Sequence, residues 1–361
     1  MASEDQLARL RLIRSDNIGP VTYFQLLARF GSAAAAIDAI PGLAARGGGR
    51  APKLASRAGA EREVERVDAL GARHLFLGQG LYPPLLAELE AAPPALVVKG
   101  QLSLLSKPMI AIVGARNASA AACRFARHLA QGLGEAGVTV VSGLARGIDT
   151  AAHDGSIGTG TIAVVAGGID IFYPPENEER QRAISERGLL VAEQPPGVEP
   201  RARHFPYRNR IIAGLAQGTI VVEAAPNSGS LITARYAAEF GRDVMAVPGS
   251  PLDPRAQGCN RLIRDGAILV QNAEDVLETL QPFRLRPLAQ DKLGYTGLNV
   301  GADASEVERR HVQGLLSPTP VAVDEIIRQS GITPALVQTV LLELELAGRL
   351  ERHAGGKVSV F

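Results

Sequence analysis

Between residues 76 and 280 the chain alternates short, near-continuous apolar runs with longer stretches of helical spacing. The runs are 109–113 (MIAIV), 138–142 (VTVVS), 161–166 (TIAVVA), 189–192 (LLVA), 219–223 (TIVVE), 243–247 (DVMAV) and 267–270 (AILV). Successive apolar positions suit strands covered on both faces. Stretches near 119–135, 146–157, 176–187, 207–216, 229–240 and 258–265 read as helices. Such alternation predicts parallel strands joined by right-handed helical crossovers, a doubly wound α/β sheet.

The two ends read differently. Residues 1–75 predict a small all-helical module. Leu7, Leu10, Leu12 and Ile13 form one stripe, and Tyr23, Leu26, Leu27 and Phe30 a second. Between them lies Ile18-Gly19-Pro20, with the proline suited to a first helical turn. That turn is either a corner between packed helices or a backbone phosphate site. An alanine-rich helix is expected to break at Pro41-Gly42, and Arg46–Arg50 (RGGGR) to be a loose loop. A further helix is expected from about Glu61 to Leu70. Residues 281–304 lack a period and read as a linker. Residues 305–361 predict three helices and a hairpin around Gly355-Gly356, a winged helix.

Composition narrows the chemistry. The chain has 361 residues, 38 basic and 37 acidic, for a formal charge of +1, so any nucleic-acid site must be a local patch. Only five of the 38 basic residues are lysines, which leaves 33 arginines, each with a planar fork of donors suited to phosphate. Cys123 and Cys259 form no zinc-like spacing. The charged N-terminal segment and the lack of a long apolar run predict a cytoplasmic protein without membrane attachment.

In a doubly wound sheet, ligands gather at the carboxyl ends of strands. After the first run comes Gly114-Ala115-Arg116-Asn117-Ala118-Ser119. Arg116 stands where a dinucleotide fingerprint needs glycine, which argues against an NAD or FAD cofactor. Arg116 is either part of an anion site beside a helix capped by Ser119 or the partner of a nearby carboxylate. After the second run comes Ser142-Gly143-Leu144-Ala145-Arg146-Gly147-Ile148-Asp149, with His153 one turn on. Asp149 and His153 share a helix face, as a catalytic pair or as a structural hydrogen bond. Segment 167–177 is expected to shape a wall of the site.

The densest signal is 201–210, RARHFPYRNR, with four arginines, one histidine, two aromatics and no acid. Arginines neutralise phosphates, and an aromatic face stacks a base. Segment 223–230 (EAAPNSGS), with Thr233 beyond it, predicts a phosphate cradle at a helix N-terminus. It is neither a Walker A loop nor a nucleophile elbow, and no carboxylate pair of the kind that holds magnesium stands beside it. In the C-terminal module, Gln338 and Thr339 are the plausible base-edge residues. There 7 acids against 6 bases favour protein contact or a structural role over DNA reading.

Several of these stretches, in this order, resemble the DprA/Smf family (DNA-processing protein A). They are Val113-Gly114-x-Arg116-x-x-Ser119, Ser142–Asp149 with Ala152-His153, Gly168–Asp170 with Tyr173-Pro174 and Asn177, Phe205–Leu215, Val222–Ala224, Ser228–Ala234, and Val247–Gly249 with Gly258, Asn260, Leu262-Ile263 and Gly266-Ala267. The resemblance implies an extended Rossmann-like domain that binds single-stranded DNA and loads the RecA recombinase onto it in natural transformation, works as a homodimer, and is not known as an enzyme. It also implies a sterile-alpha-motif-like N-terminal module. Carried over residue by residue, the implied DNA site is Arg116, Gly143, Phe205, Arg208, Asn209, Arg210, Ser228, Gly229, Ser230 and Thr233. Arg201 and Arg203 stand near where the family often has a lysine, and Arg146 and Arg203 are added from the residues themselves. Two alternatives remain on related folds: a nucleotide-binding sensor, and a nucleotide phosphoribohydrolase using Glu223 as its carboxylate, unless Glu223 pairs with Arg210.

Overall fold

The computed structural model describes residues 2–284, 303–353 and 355–360. The first four helices are α1 (Glu4–Ile13), α2 (Pro20–Phe30), α3 (Ala33–Arg46) and α4 (Arg57–Ala69). Pro41 lies inside α3 and does not break it. Ala36, Ile37, Ile40, Leu43 and Ala44 are buried at helical spacing, while Pro41 and Gly42 are exposed. Burial of that stripe outweighs the one hydrogen bond that a proline removes.

The central elements, in chain order, are β1 (Arg73–Phe76), α5 (Pro84–Ala87), β2 (Ala95–Gly100), β3 (Met109–Gly114), α6 (Ala120–Glu135), β4 (Thr139–Ser142), α7 (Ile148–Ser156), β5 (Thr161–Val165), α8 (Glu178–Arg187), β6 (Leu189–Ala192), α9 (His204–Leu215), β7 (Gly218–Val222), α10 (Ser230–Glu239), β8 (Asp243–Ala246), α11 (Gln257–Arg264), β9 (Ile268–Leu269) and α12 (Ala273–Arg284). The first residues of the expected linker therefore end α12, and 285–302 lie outside the described residues. The C-terminal elements are α13 (Glu306–Gly314), β10 (Val321–Ala322), α14 (Val323–Ser330), α15 (Pro334–Leu346), β11 (Leu350–His353) and β12 (Lys357–Val360).

The chain clusters into two units, residues 1–62 with 291–361, and residues 63–290. In the second, nine strands form one sheet in the order β1-β2-β6-β5-β4-β3-β7-β8-β9. Strands β3 to β9 run parallel, and β2 joins β6 antiparallel. Strands β1 and β2 lie outside the apolar runs read from the sequence, and β1 places residues 73–75, expected in the helical module, in this sheet. Side chains alternate between two cores. Ile110, Ile112, Val140, Ile220 and Val222 pack with α6, α7 and α12, while Ala111, Val113, Val141 and Val221 pack with α9 and α10. Strand β3 has β4 on one side and β7 on the other. The order of connection reverses there, and such a switch point opens a crevice at the strand ends.

In the first unit, α13–α15 and the three-stranded sheet β10-β12-β11 form the winged helix. Its core holds Val312, Ile326, Val337, Val340, Leu341, Leu344, Leu350 and Val358. Among the described residues no single helix is long and apolar enough to cross a membrane; α2 and α3 pass that test only as a pair bent by 103°.

Candidate nucleic-acid interface

The segments that leave the carboxyl ends of β3, β4, β6 and β7 build the crevice. Gly114 ends β3 opposite Val222 of β7. A methyl group there would overlap the Val222 carbonyl and the Ile148 side chain, so only glycine lets the strands turn out together. Arg116 comes next in an exposed turn, and Ser119 caps α6 by accepting from the Ala122 N–H at 3.1 Å. The anion position at this helix start is already filled. The Glu223 carboxylate accepts the Ser119 N–H at 2.6 Å, and its carbonyl accepts the Ala115 N–H at 2.8 Å. Glu223 adopts a left-handed φ of 58° to do so, a conformation unfavourable for a non-glycine residue. Its nearest guanidinium is that of Arg255 at 3.9 Å, and Arg210 pairs elsewhere. A carboxylate committed to capping α6 is poorly placed to stabilise a developing sugar cation.

The basic segment 201–210 is not a loop throughout, because α9 begins at His204. Once helical, its side chains divide. Phe205 is half-buried and Tyr207 exposed, whereas Arg208 and Arg210 are only 6% and 7% exposed. The resemblance places both arginines in the DNA site, yet their guanidinium groups turn inward onto protein partners. Arg208 donates through Nη1 to the Gly143 carbonyl and to the Val164 carbonyl at 2.5 Å, and through Nε to Asn209 at 3.1 Å. Gly143 must be glycine because the Arg208 guanidinium fills the space of a side chain. Arg210 donates to Glu193 at 2.5 Å and to the Ala91 carbonyl at 2.8 Å. Asn209 reaches the Gly229 carbonyl at 3.4 Å, linking α9 to the 228–230 turn.

Asp149 is buried and accepts from the N–H groups of Gly143 and Ala145 at 3.1 and 3.3 Å. Burial raises its pKa, opposed by the positive charge of Arg208 and those two N–H groups. Burial likewise pulls Arg208 down, to about 10, against the pull of Asp149. Arg208 and Asp149 thus hold the 143–145 turn from both sides, with Leu144 at a φ of 55°.

His153 does not pair with Asp149. Its Nδ1 lies 2.7 Å from Thr161 Oγ1, whose hydroxyl donates to the Val140 carbonyl at 3.2 Å. Burial pushes the imidazole down from 6.5 to about 3. Below pH 6.5 the unfolded imidazole takes up a proton that the folded one refuses until about 3. Stability should therefore fall with pH across that window, by about 1.4 kcal/mol per pH unit. His153→Asn should remove this component. Urea unfolding of both proteins from pH 7 to pH 4 checks it, and equal pH slopes would refute it.

At the rim, the Arg116 guanidinium lies 5.4 Å from the centre of the Phe205 ring, and Tyr173 meets the same ring at 5.4 Å, tilted by 56°. Tyr173 belongs to the expected wall segment and is 48% exposed. Ser228 and Ser230 hydroxyls lie 2.7 Å apart, Gly229 faces open space, and Thr233 is buried beneath them. Arg116 thus meets Phe205, while Arg208 meets Gly143 and Asn209 and Asn209 meets Gly229, with Phe205, Arg208 and Asn209 all carried by α9. Arg146 is outside it, exposed and paired with Glu176. Arg203 is exposed and makes no ion pair among the described residues. No group of three metal-ligating side chains occurs among the described residues.

Residues 73–281, more than half of the chain, match the family model described as DNA recombination-mediator protein A. The chain belongs to the DprA/Smf family. Residues 3–65 match the DprA-like N-terminal HHH domain, and 300–356 the DprA winged helix domain. DNA processing protein DprA of Streptococcus pneumoniae is 49% identical over 198 residues, 54% of this chain and 70% of that protein. Protein Smf of Escherichia coli is 40% identical over 284 residues, 77% and 74% of the two chains. The X-ray structure of the S. pneumoniae DprA superposes with a TM-score of 0.59 at 43% identity, covering 62% of this chain and 78% of that one. DprA of Helicobacter pylori, whose structure is described as giving insight into a single-stranded DNA binding mode, superposes with a TM-score of 0.54 at 27% identity, covering 59% and 96%. Members of this DprA/Smf family are recombination mediators.

Proposed function

We propose that the chain binds single-stranded DNA at the crevice between β3 and β7 and acts there as a recombination mediator. The carrying observation is the exposed Arg116 set against the half-buried ring of Phe205, a fixed charge and a stacking face side by side at the switch point. Arg116 meets phosphates, with Arg203 on the exposed turn two residues before Phe205. Phe205, flanked by Tyr173, stacks a base. Ser228, Gly229 and Asn209 offer hydroxyl, open backbone and amide along the same rim. Arg208, Gly143 and Thr233 hold the rim from beneath, and Arg210 anchors α9. The single-strand binding described for the H. pylori relative supports this reading.

The mediator role extends, on family membership, to placing a RecA-type recombinase on the bound strand during natural transformation. A homodimer is part of the same reading. Edge strand β9, with Ile268 and Leu269 both exposed, is an apolar sheet edge available to a second copy.

Gel-shift titrations of single- and double-stranded oligonucleotides at two salt concentrations test the site. Arg116→Ala should weaken single-strand binding and shrink the slope of log affinity against log salt by about 0.7, the loss of one phosphate contact. Unchanged affinity and slope would remove Arg116 from the interface.

A further inference from the structure

Helix α15 occupies the position of the reading helix in a helix-turn-helix fold, where residues near the N-terminal end meet base edges. Its sequence, PALVQTVLLELEL, is apolar around most of its circumference. A helix of that kind is covered on more than one side. One face, Val337, Val340, Leu341 and Leu344, belongs to the winged-helix core. A second face, Thr339, Leu342, Glu343 and Leu346, is equally buried and lies outside that core. Both faces carry the i, i+3, i+4, i+7 spacing.

The N-terminal helices cover the second face. Gln25 of α2 donates to Gln338 at 2.8 Å, and Arg29 of α2 reaches the Thr339 hydroxyl at 3.4 Å. These are the two side chains of α15 best suited to base edges. At the other end of the contact, Glu343 is 1% exposed and takes Arg46 of α3 at 2.8 Å on one oxygen and Arg309 at 2.8 Å on the other. The RGGGR segment acquires its reason here. A methyl group on Gly47 would overlap the Glu343 carbonyl, and one on Gly49 the Ala347 backbone. Gly47 has an ordinary φ of −70°, so it is the close approach and not the turn that demands glycine. Arg349 closes the contact by donating to the Gly47 carbonyl at 3.1 Å.

We propose that α15 is a docking helix for the chain's own α2 and α3 and not a reader of duplex DNA, so that the two terminal modules work as one body. The near balance of acids and bases in this winged helix fits a protein partner.

Hydrogen exchange on the full-length chain tests the docking. Gly47→Val should raise exchange at least tenfold in both α3 and α15, while β3–β9 and single-strand affinity stay unchanged. Leu342→Lys, made on the opposite side, should raise exchange in α2 and α3, some 300 residues away in sequence. Protection of α15 unchanged by Gly47→Val, or of α2 and α3 unchanged by Leu342→Lys, overturns the proposal. A fall in oligomer mass by light scattering in either variant would assign the covering helices to a second copy and overturn it equally. Duplex affinity identical in wild type and Gln338→Ala/Thr339→Ala supports it; a fivefold loss in that double variant refutes it.

Discussion

Arg208→Ala is expected to lower the melting temperature of the central unit by about 10 °C and to weaken single-strand binding about tenfold or more. The change leaves Asp149 buried without its cation, and it strands the Gly143 and Val164 carbonyls. Leaving a buried carbonyl without its donor costs about 1–3 kcal/mol for each of the two, and for a domain of this size each kcal/mol shifts the midpoint by about 2–4 °C. The distinguishing feature lies in the salt dependence. Because the Arg208 side chain turns inward, its loss should leave the salt slope unchanged, in contrast to Arg116→Ala. Calorimetry with gel-shift titration at two salt concentrations checks both. A slope that flattens with Arg208→Ala would mean that this guanidinium reaches phosphate after all. Arg208→Lys keeps a charge but not the fork that spans two carbonyls, so it should recover only part of the stability.

Phe205→Ala should weaken single-strand binding by about 1–3 kcal/mol, or about 5- to 150-fold, without altering the salt slope, since the ring carries no charge. Phe205→Tyr keeps the stacking face and should bind within a few-fold of wild type. The ring is also the seat of the Arg116 guanidinium, so Arg116→Ala and Phe205→Ala should combine less than additively. Full additivity in a double-mutant cycle would separate the two. An alanine variant that binds as well as the parent would leave Tyr173 or Tyr207 as the stacking face.

The parallel core of the sheet was legible because Ile110, Ala111, Ile112 and their counterparts are apolar toward both layers, which few helices of that length imitate. Strands β1 and β2 were not, for a physical reason. They pair antiparallel at one edge, so no crossover helix comes after them to announce a βαβ unit. Of the proposed site, the meeting of Arg116 with the half-buried Phe205 is foreshadowed by their places in the glycine turn after β3 and in the arginine-rich segment. The burial of Arg208 and Arg210 is not legible there, because a count of charges does not say which way they face. Helical spacing carries that information. His204, Arg208, Ile211, Ile212 and Leu215 fall on one stripe once α9 is taken to start at 204, and an arginine on an apolar stripe is a buried one. Glu223 reads in sequence as a catalytic carboxylate or a partner of Arg210, because nothing local signals that its backbone turns left-handed and sends the carboxylate back to Ser119. The RGGGR segment reads as slack chain, since its meaning depends on Glu343 and Ala347, nearly 300 residues further on.

That separation has a consequence for biosynthesis. Helices α2 and α3 leave the ribosome early, whereas the helix that covers them is completed only at Leu346. At about 5–20 residues per second, the interval between Arg46 and Leu346 is about 15–60 s. Throughout it Tyr23, Leu26 and Ile40 must be sheltered by α1–α3 alone or by a chaperone, while the central sheet assembles without waiting for either end of the chain.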